Sequence, residues 1–248
     1  MKGKFYVVGV GPGEPELITL KAIRIIKESH VVALPISRKG FEKPIYEAAG
    51  EARGDAKLLE GCMAYQIVRQ VLPEVSGKAK LYLPMPMLKE KDRLDAAHSL
   101  CADAAAGRLD AGDTAAFLTI GDPSVYSTGM YVHERLKRKG YETHLVPGVP
   151  SFCAAAAALD TEIARNKEEI HILPASYGVE KGLYLPGTKI LMKAGKKMPE
   201  IKRMAREKGI RIQMAENCGM EDERYYFSAE EIPDKASYYS LLMIKEEA

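Results

Sequence analysis

No apolar run in this sequence approaches the ~20 residues that a membrane-spanning helix requires, so no segment reads as a transmembrane helix. Cysteine is scarce. Cys62, Cys101, Cys153 and Cys218 lie far apart, with no C-x-x-C and no histidine at a metal-ligand spacing. That pattern argues against a disulfide framework or a zinc site, and for reduced, buried thiols in a cytoplasmic protein. The five histidines are equally scattered and give no basis for a metal centre. Charge of one sign is missing too: 36 Lys and Arg against 34 Asp and Glu leave +2, no global pull toward nucleic acid or a membrane surface. There is also no repeat at solenoid period and no low-complexity segment.

What is present is a chain with 46% hydrophobic and 28% charged residues, which suits a globular protein with a substantial core. The opening MKGKFYVVGVG places two lysines before an apolar run, but the run is short and meets a glycine turn instead of a cleavage site. It reads as a first strand. Further strand candidates are HVVALPI, TAAFLTI, ETHLVPG, EIHILPA, KILMKAG, RIQMAEN and SYYSLLMIK, separated by helical stretches. Leu17, Leu20, Ile23 and Ile26 predict one apolar stripe on the first helix, and Gly140 predicts the C-terminal cap of the helix through MYVHERLKRKG.

Alternation of this kind predicts an α/β fold: two α/β/α domains with mainly parallel sheets and a cleft between them. The turn PGVPSF and the polar IARNKEE place the boundary near residues 150–165, giving domains 1–155 and 156–248.

Three glycine–proline turns follow strands. The first, VGVGPGEPELITLKA, has the outline of a dinucleotide site, but its spacing is Gly9-x-Gly11-x-Gly13. Glu14 and Glu16 would offset the attraction of a helix N-terminus for phosphate, and the second strand ends without an Asp or Glu for a ribose. A dehydrogenase is therefore disfavoured, while a plain strand-to-helix turn with Pro15 at the first helical position stays open. The second turn, FLTIGDPSVYSTGMYV, offers Asp122 as a helix cap followed by Pro123, and clusters Tyr126, Ser127 and Thr128. The third, LVPGVPSF, places Gly148 and Ser151 at a helix start. Turns that follow parallel strands share the carboxyl edge of the sheet, where ligands bind. Hydroxyls and a single carboxylate suit a sulfonium nucleoside such as S-adenosyl-L-methionine.

In order and spacing these three turns resemble the signature turns of the tetrapyrrole (uroporphyrin/precorrin) methylases, and the similarity extends through KILMKAGKK and IQMAENCG. YST after GDPSV, the PGVPSF turn and an insertion around LYLPMPMLKEKD resemble the members that methylate carbon 20 of precorrin-2 or cobalt-precorrin-2 in cobalamin biosynthesis. The resemblance implies an S-adenosylmethionine-dependent C-methyltransferase, a homodimer with the methyl donor held between the two domains. On the matching positions it implies donor contacts at Pro12, Ile120, Gly121, Asp122, Val125, Tyr126, Ser127, Thr128, Pro150, Ser151 and Met192. Pro150 stands where many relatives carry a hydroxyl, and Ser151 is the nearest substitute.

Asp122, with Tyr126 beside it, is the candidate for orienting the reacting carbon or accepting its proton; a cap that also touches the donor is the alternative. A substrate rich in carboxylates predicts basic residues at the sheet edge. Arg38, Lys39 and Lys43 follow the second strand, and Lys193, Lys196 and Lys197 follow KILM, although a solvated basic surface accounts for single lysines as well. Tyr82, Tyr131, Tyr225, Tyr226, Tyr238 and Tyr239 are expected as buried rings with one polar contact, and Met85, Met87 and Met130 as core filler or pocket lining. Methylation of another macrocycle carbon, an RNA ribose or a diphthamide precursor, or binding without turnover, remain alternatives.

Overall fold

The computed structural model describes residues 2–51, 56–174 and 182–245. Contacts divide the chain into Met1–Pro150 and Ser151–Ala248; the boundary expected after residue 155 falls inside a helix, Ser151–Ala158.

The first unit is built on a six-stranded sheet in the order β3-β4-β2-β5-β1-β6. The strands are β1 (Phe5–Gly9), β2 (Val31–Ile36), β3 (Ile45–Glu47), β4 (Ala79–Pro84), β5 (Ala115–Thr119) and β6 (Thr143–Val146). Neighbours run parallel except for β3, which lies antiparallel on β4. Helices cover both faces. Strand side chains alternate by two, so Val8, Val32, Leu34 and Leu118 pack under α1 (Leu20–Glu28), α2 (Ala56–Glu60) and α3 (Met63–Val71). Their neighbours Phe5, Val7, Ala33 and Phe117 pack under α4 (Lys91–Asp110) and α5 (Gly129–Arg138). Burial on both faces is why these strands read as continuous apolar runs.

One strand escapes the sequence reading and one expectation fails, both for visible reasons. LYLP lies within β4, which stands between β2 and β3, and Lys80 and the prolines disguise it. The stripe Leu17–Leu20–Ile23–Ile26 has a period of three, whereas the α-helix turns every 3.6 residues. Leu17 sits in a separate 3-10 turn (Pro15–Leu17). Helix α1 starts afterwards, with the Thr19 hydroxyl accepting from Ala22 N at 3.1 Å. It buries Ala22, Ile25 and Ile26 and leaves Leu20 89% exposed. The end of α5 follows the expected cap, with Gly140 at φ +81° and Tyr141 N donating to Leu136 O at 3.1 Å.

The second unit carries α6 (Ser151–Ala158), α7 (Met198–Lys208) and a five-stranded sheet in the order β10-β9-β11-β8-β7. Its strands are β7 (Ile170–Pro174), β8 (Thr188–Met192), β9 (Arg211–Glu216), β10 (Arg224–Tyr226) and β11 (Ser240–Lys245). Only β7 and β8 pair in parallel; β11 is antiparallel to both β8 and β9, and β10 is antiparallel to β9. The expectation of mainly parallel sheets therefore holds for the first unit alone. The crossover β8–α7–β9 leaves a one-strand gap that β11 fills from the opposite direction, and residues 217–223 are too short for a parallel crossover to β10.

Cys62 and Cys101 are buried as expected, but Cys153 is exposed and Cys218 half-buried; none of the four is in a disulfide. Burial pushes the Cys62 thiol up to about 11 and the Cys101 thiol up to about 12. Among the described residues no group of three or more His, Cys, Asp or Glu could hold a metal ion. No helix among them is long and apolar enough to cross a membrane.

Candidate functional site

Strands β1, β5 and β6 end at one edge of the first sheet, and the turn after each brings a glycine to a common point. A Cβ on Gly9 would lie 2.5 Å from Gly121 O and 2.7 Å from Gly148 N; one on Gly148 would lie 2.2 Å from Gly121 O. No side chain fits at either position. Val10 N donates to Thr119 O at 2.9 Å and Gly121 N to Gly11 O at 2.7 Å, so the first two turns are also tied by backbone hydrogen bonds. Gly11 and Gly121 take φ of +80° and +69°, which redirects their peptide groups at the edge.

Asp122 locks this arrangement. Its Oδ1 accepts from Ser124 N at 2.8 Å and from the Ser124 hydroxyl, while Oδ2 accepts from Gly148 N at 3.0 Å. The carboxylate thus joins the second turn to the third. It does not cap the next helix, because α5 begins only at Gly129, with Thr128 in the cap position and making no side-chain cap bond. Ser127 does that work: its Oγ accepts from Gly129 N at 3.1 Å and donates to Thr119 Oγ1 at 2.9 Å. Thr119 is a site residue that sequence reasoning missed, since it looked like one more strand position. Between these anchors Tyr126 is held at φ +50° with its ring 48% exposed. A left-handed aromatic residue is an uncommon, strained conformation.

The other expected residues are placed as follows. Pro12 is buried in the first turn; Ile120, Val125 and Pro150 are half-buried and Thr128 exposed. In the second unit, Ser151 opens α6 and Met192 closes β8, packed against a cluster that includes Ala155 and Ile190. Arg38, Lys39 and Lys43 are exposed on the loop after β2, which turns through Phe41 N donating to Arg38 O at 3.2 Å. Lys197 is paired with Glu200 at 2.8 Å, and Lys193 lies over the Tyr238 ring at 5.5 Å; the side chain of Lys196 is outside the described set. Met85 belongs to the core, whereas Met87 is 75% exposed. The buried-tyrosine expectation holds for Tyr82 but not for Tyr131, Tyr238 or Tyr239, whose rings are exposed. Tyr131 instead stacks on His98 at 4.2 Å.

The second unit has its own polar cluster where β9 ends, which sequence reasoning also missed. Glu216 accepts from Ser237 N at 2.5 Å and from the Tyr226 hydroxyl at 3.1 Å. Asn217, at φ +52°, accepts from the Ser237 hydroxyl at 2.6 Å and donates to Asp222 at 2.8 Å. Burial, then the bond to Glu216, raises the Tyr226 hydroxyl pKa and keeps it a donor. The available signal was an Asn directly after a strand, a residue that tolerates positive φ.

Comparison with known proteins gives the chain a family. The family profile described as tetrapyrrole (corrin/porphyrin) methylases matches residues 4–233. This chain belongs to that family. A Methanocaldococcus jannaschii protein named "Probable cobalt-precorrin-2 C(20)-methyltransferase" is 31% identical to this methylase over 221 residues, 89% of this chain and 85% of the other. A Sinorhizobium precorrin-2 C(20)-methyltransferase is 27% identical over 98% of this chain and 95% of its own. Among solved structures, uroporphyrin-III C-methyltransferase from Thermus thermophilus, complexed with S-adenosylhomocysteine, superposes with a TM-score of 0.63 at 22% identity, covering 98% of both chains. At that identity the likeness speaks for the fold of the methylase.

Proposed function

We propose that this methylase transfers the methyl group of S-adenosyl-L-methionine to carbon 20 of precorrin-2 or cobalt-precorrin-2, a step of corrin biosynthesis. The relatives at 31% and 27% identity that carry this activity in their names support the regiochemistry. The observation that carries the reading is the knot of Gly9, Gly121 and Gly148 clamped by Asp122.

The residues present suit the methyl donor. The knot presents redirected peptide groups, hydroxyls and one carboxylate, while the exposed neighbours Glu14 and Glu16 would repel a polyphosphate. Pro12, Ile120, Gly121, Asp122, Val125, Tyr126, Ser127, Thr128 and Pro150 of the first unit, with Ser151 and Met192 of the second, are the residues that would hold it. When bound, S-adenosylmethionine supplies a methyl group already activated by its sulfonium. The work left to the protein is alignment, which contributes on the order of 7–11 kcal/mol in favourable cases. The transfer would form a carbon–carbon bond at C20 as the carbon–sulfur electrons leave on sulfur, and the C20 proton would pass to solvent water. Both Asp122 oxygens already accept hydrogen bonds from the chain, so we assign Asp122 to positioning and keep Tyr126, exposed on the same turn, as the candidate beside the reacting carbon. Arg38, Lys39 and Lys43 would meet the substrate carboxylates. A homodimer, on the resemblance alone, and a cytoplasmic location, on the scarce and scattered cysteines, complete the reading.

Incubation with S-adenosylmethionine and metal-free or cobalt-loaded precorrin-2 tests it. The expected product is one methyl heavier, with the label from a ¹³C-methyl donor at C20. A label on another macrocycle carbon, or binding without turnover, overturns the assignment.

A further inference from the structure

Edge strand β3 is the return limb of the basic loop, residues 37–44, that leaves β2. Its register is Ile45 opposite Tyr82, Tyr46 opposite Leu81 and Glu47 opposite Lys80. Ile45 and Tyr46 are 47% and 40% exposed, so the one side chain that β3 buries is a carboxylate, Glu47. Glu47 Oε1 meets Lys80 Nζ at 3.4 Å and Oε2 accepts from the Tyr82 hydroxyl at 3.3 Å. Lys80 Nζ also donates to Ser76 O at 2.9 Å and Lys78 O at 3.1 Å. On the other side of the strand, the Arg108 guanidinium lies 4.0 Å from the Tyr46 ring centroid.

A buried ion pair is a poor device for stability, because desolvation cancels much of its attraction and an apolar pair would hold an edge strand as well. What it supplies is direction. A slip of one residue would turn Glu47 to the opposite face and leave Lys80 buried without its carboxylate. The fixed register in turn fixes the span of the loop between Ile36 and Ile45, which carries Arg38, Lys39 and Lys43.

We infer that Glu47 and Lys80 are positioning residues for substrate: their buried pair sets the register of β3 and so holds the Arg38–Lys43 loop where it engages the carboxylates of an anionic tetrapyrrole. This rests on the tetrapyrrole reading of the site. Glu47→Gln tests it, with uroporphyrin III, an eight-carboxylate macrocycle, as a fluorescence-quenching probe alongside methyl transfer. The expected result is about a fivefold loss of uroporphyrin affinity and a matching rise in substrate KM, the scale of one or two exposed ion pairs. Affinity for S-adenosylhomocysteine and kcat stay within about twofold. In an Arg38→Ala, Lys39→Ala, Lys43→Ala background the same substitution has no further effect on the probe. Should Glu47→Gln fold poorly, the apolar pair Glu47→Leu with Lys80→Met replaces it, with the same expected losses. Unchanged probe affinity, or equal losses in both backgrounds, overturns the inference. Probe binding by the wild type without methylation of precorrin-2 removes the proposed reaction, and the anchor is still judged by quenching; no probe binding by the wild type overturns both.

Discussion

The two sheet edges of this methylase are built from different materials. In the first unit three turns meet backbone to backbone, with Gly9, Gly121 and Gly148 so close that a single added carbon collides with a carbonyl. In the second, the end of β9 is held largely by side chains: Glu216, Asn217, Ser237 and Tyr226 share hydrogen bonds across ordinary distances, beside one tight backbone approach, of Gly195 to Ala236 O. Backbone packing is unforgiving, because peptide groups cannot turn aside. Side-chain networks can repack around a change. The first edge should therefore be the more brittle of the two, and substitutions can measure by how much.

The largest effect is expected from Gly148→Ala. Its Cβ would sit 2.2 Å from Gly121 O and 2.8 Å from Gly9 C, so at least two turns must separate. We expect about 3 kcal/mol or more of destabilisation, or a folded protein that no longer binds S-adenosylhomocysteine. Gly209→Ala is the control in the second unit. Gly209 has φ +62° at the end of α7, but a Cβ there would meet no atom within 4 Å, so only backbone strain of about 1 kcal/mol is at stake. Urea unfolding and calorimetric binding of both variants would decide; equal effects at the two glycines would end the contrast.

A subtler comparison uses the two clamping carboxylates. Asp122→Asn offers one oxygen where two are needed: Ser124 N and Gly148 N are both fixed donors on opposite sides, and the new amide must face one of them. An unsatisfied N–H costs about 1–3 kcal/mol, expected here as roughly tenfold weaker S-adenosylhomocysteine binding with little change in turnover at saturating donor. Retained affinity with lost turnover would instead make Asp122 a proton acceptor. Glu216→Gln is expected to be milder, under about 1 kcal/mol. One of its partners is the Tyr226 hydroxyl, which can rotate to accept from the amide as a backbone N–H cannot.

This contrast also explains what the sequence could and could not disclose. Eight strands were legible, most of them because buried strands are unbroken apolar runs, and the three turns because glycine and proline mark them; β6 and β7, at sheet edges, still carry short apolar stretches. The short edge strands β3 and β10 carry no such run, and β4 was hidden because Lys80 is buried by a partner, Glu47, 33 positions away. The same limit applied to Asp122. Its neighbours in sequence, Pro123 and the helix beyond, suggest a cap, whereas its decisive contact lies 26 residues on at Gly148. Glu216 depends on Ser237, 21 residues away. Local pattern located the edge; which atoms tie it together is long-range information that no local pattern holds.

The smallest predicted effect concerns acid. His98 and His133, both in the first unit and both nearly buried, have their pKa values lowered chiefly by burial. Arg135 lowers His98 further while Asp95 opposes it. Around His133, Lys137 and His144 lower and Glu134 raises. The His133 Nδ1 atom has no hydrogen-bond partner among the described residues, so a proton there would be a buried, unshared charge. The unfolded chain takes up these protons near its ordinary value of 6.5 while the folded chain resists, so stability is lost as pH falls through that range. Carboxylates held low by their partners, such as Glu142 beside Lys4, lose their contribution only in more acid solution, which leaves roughly pH 5.5–7.5 as a window for the histidines. Thermal midpoints should fall as the pH is lowered across it. His98→Phe with His133→Phe keeps a ring in both places, including the stack on Tyr131, and should flatten the profile; an unchanged slope would place the acid sensitivity elsewhere in the molecule.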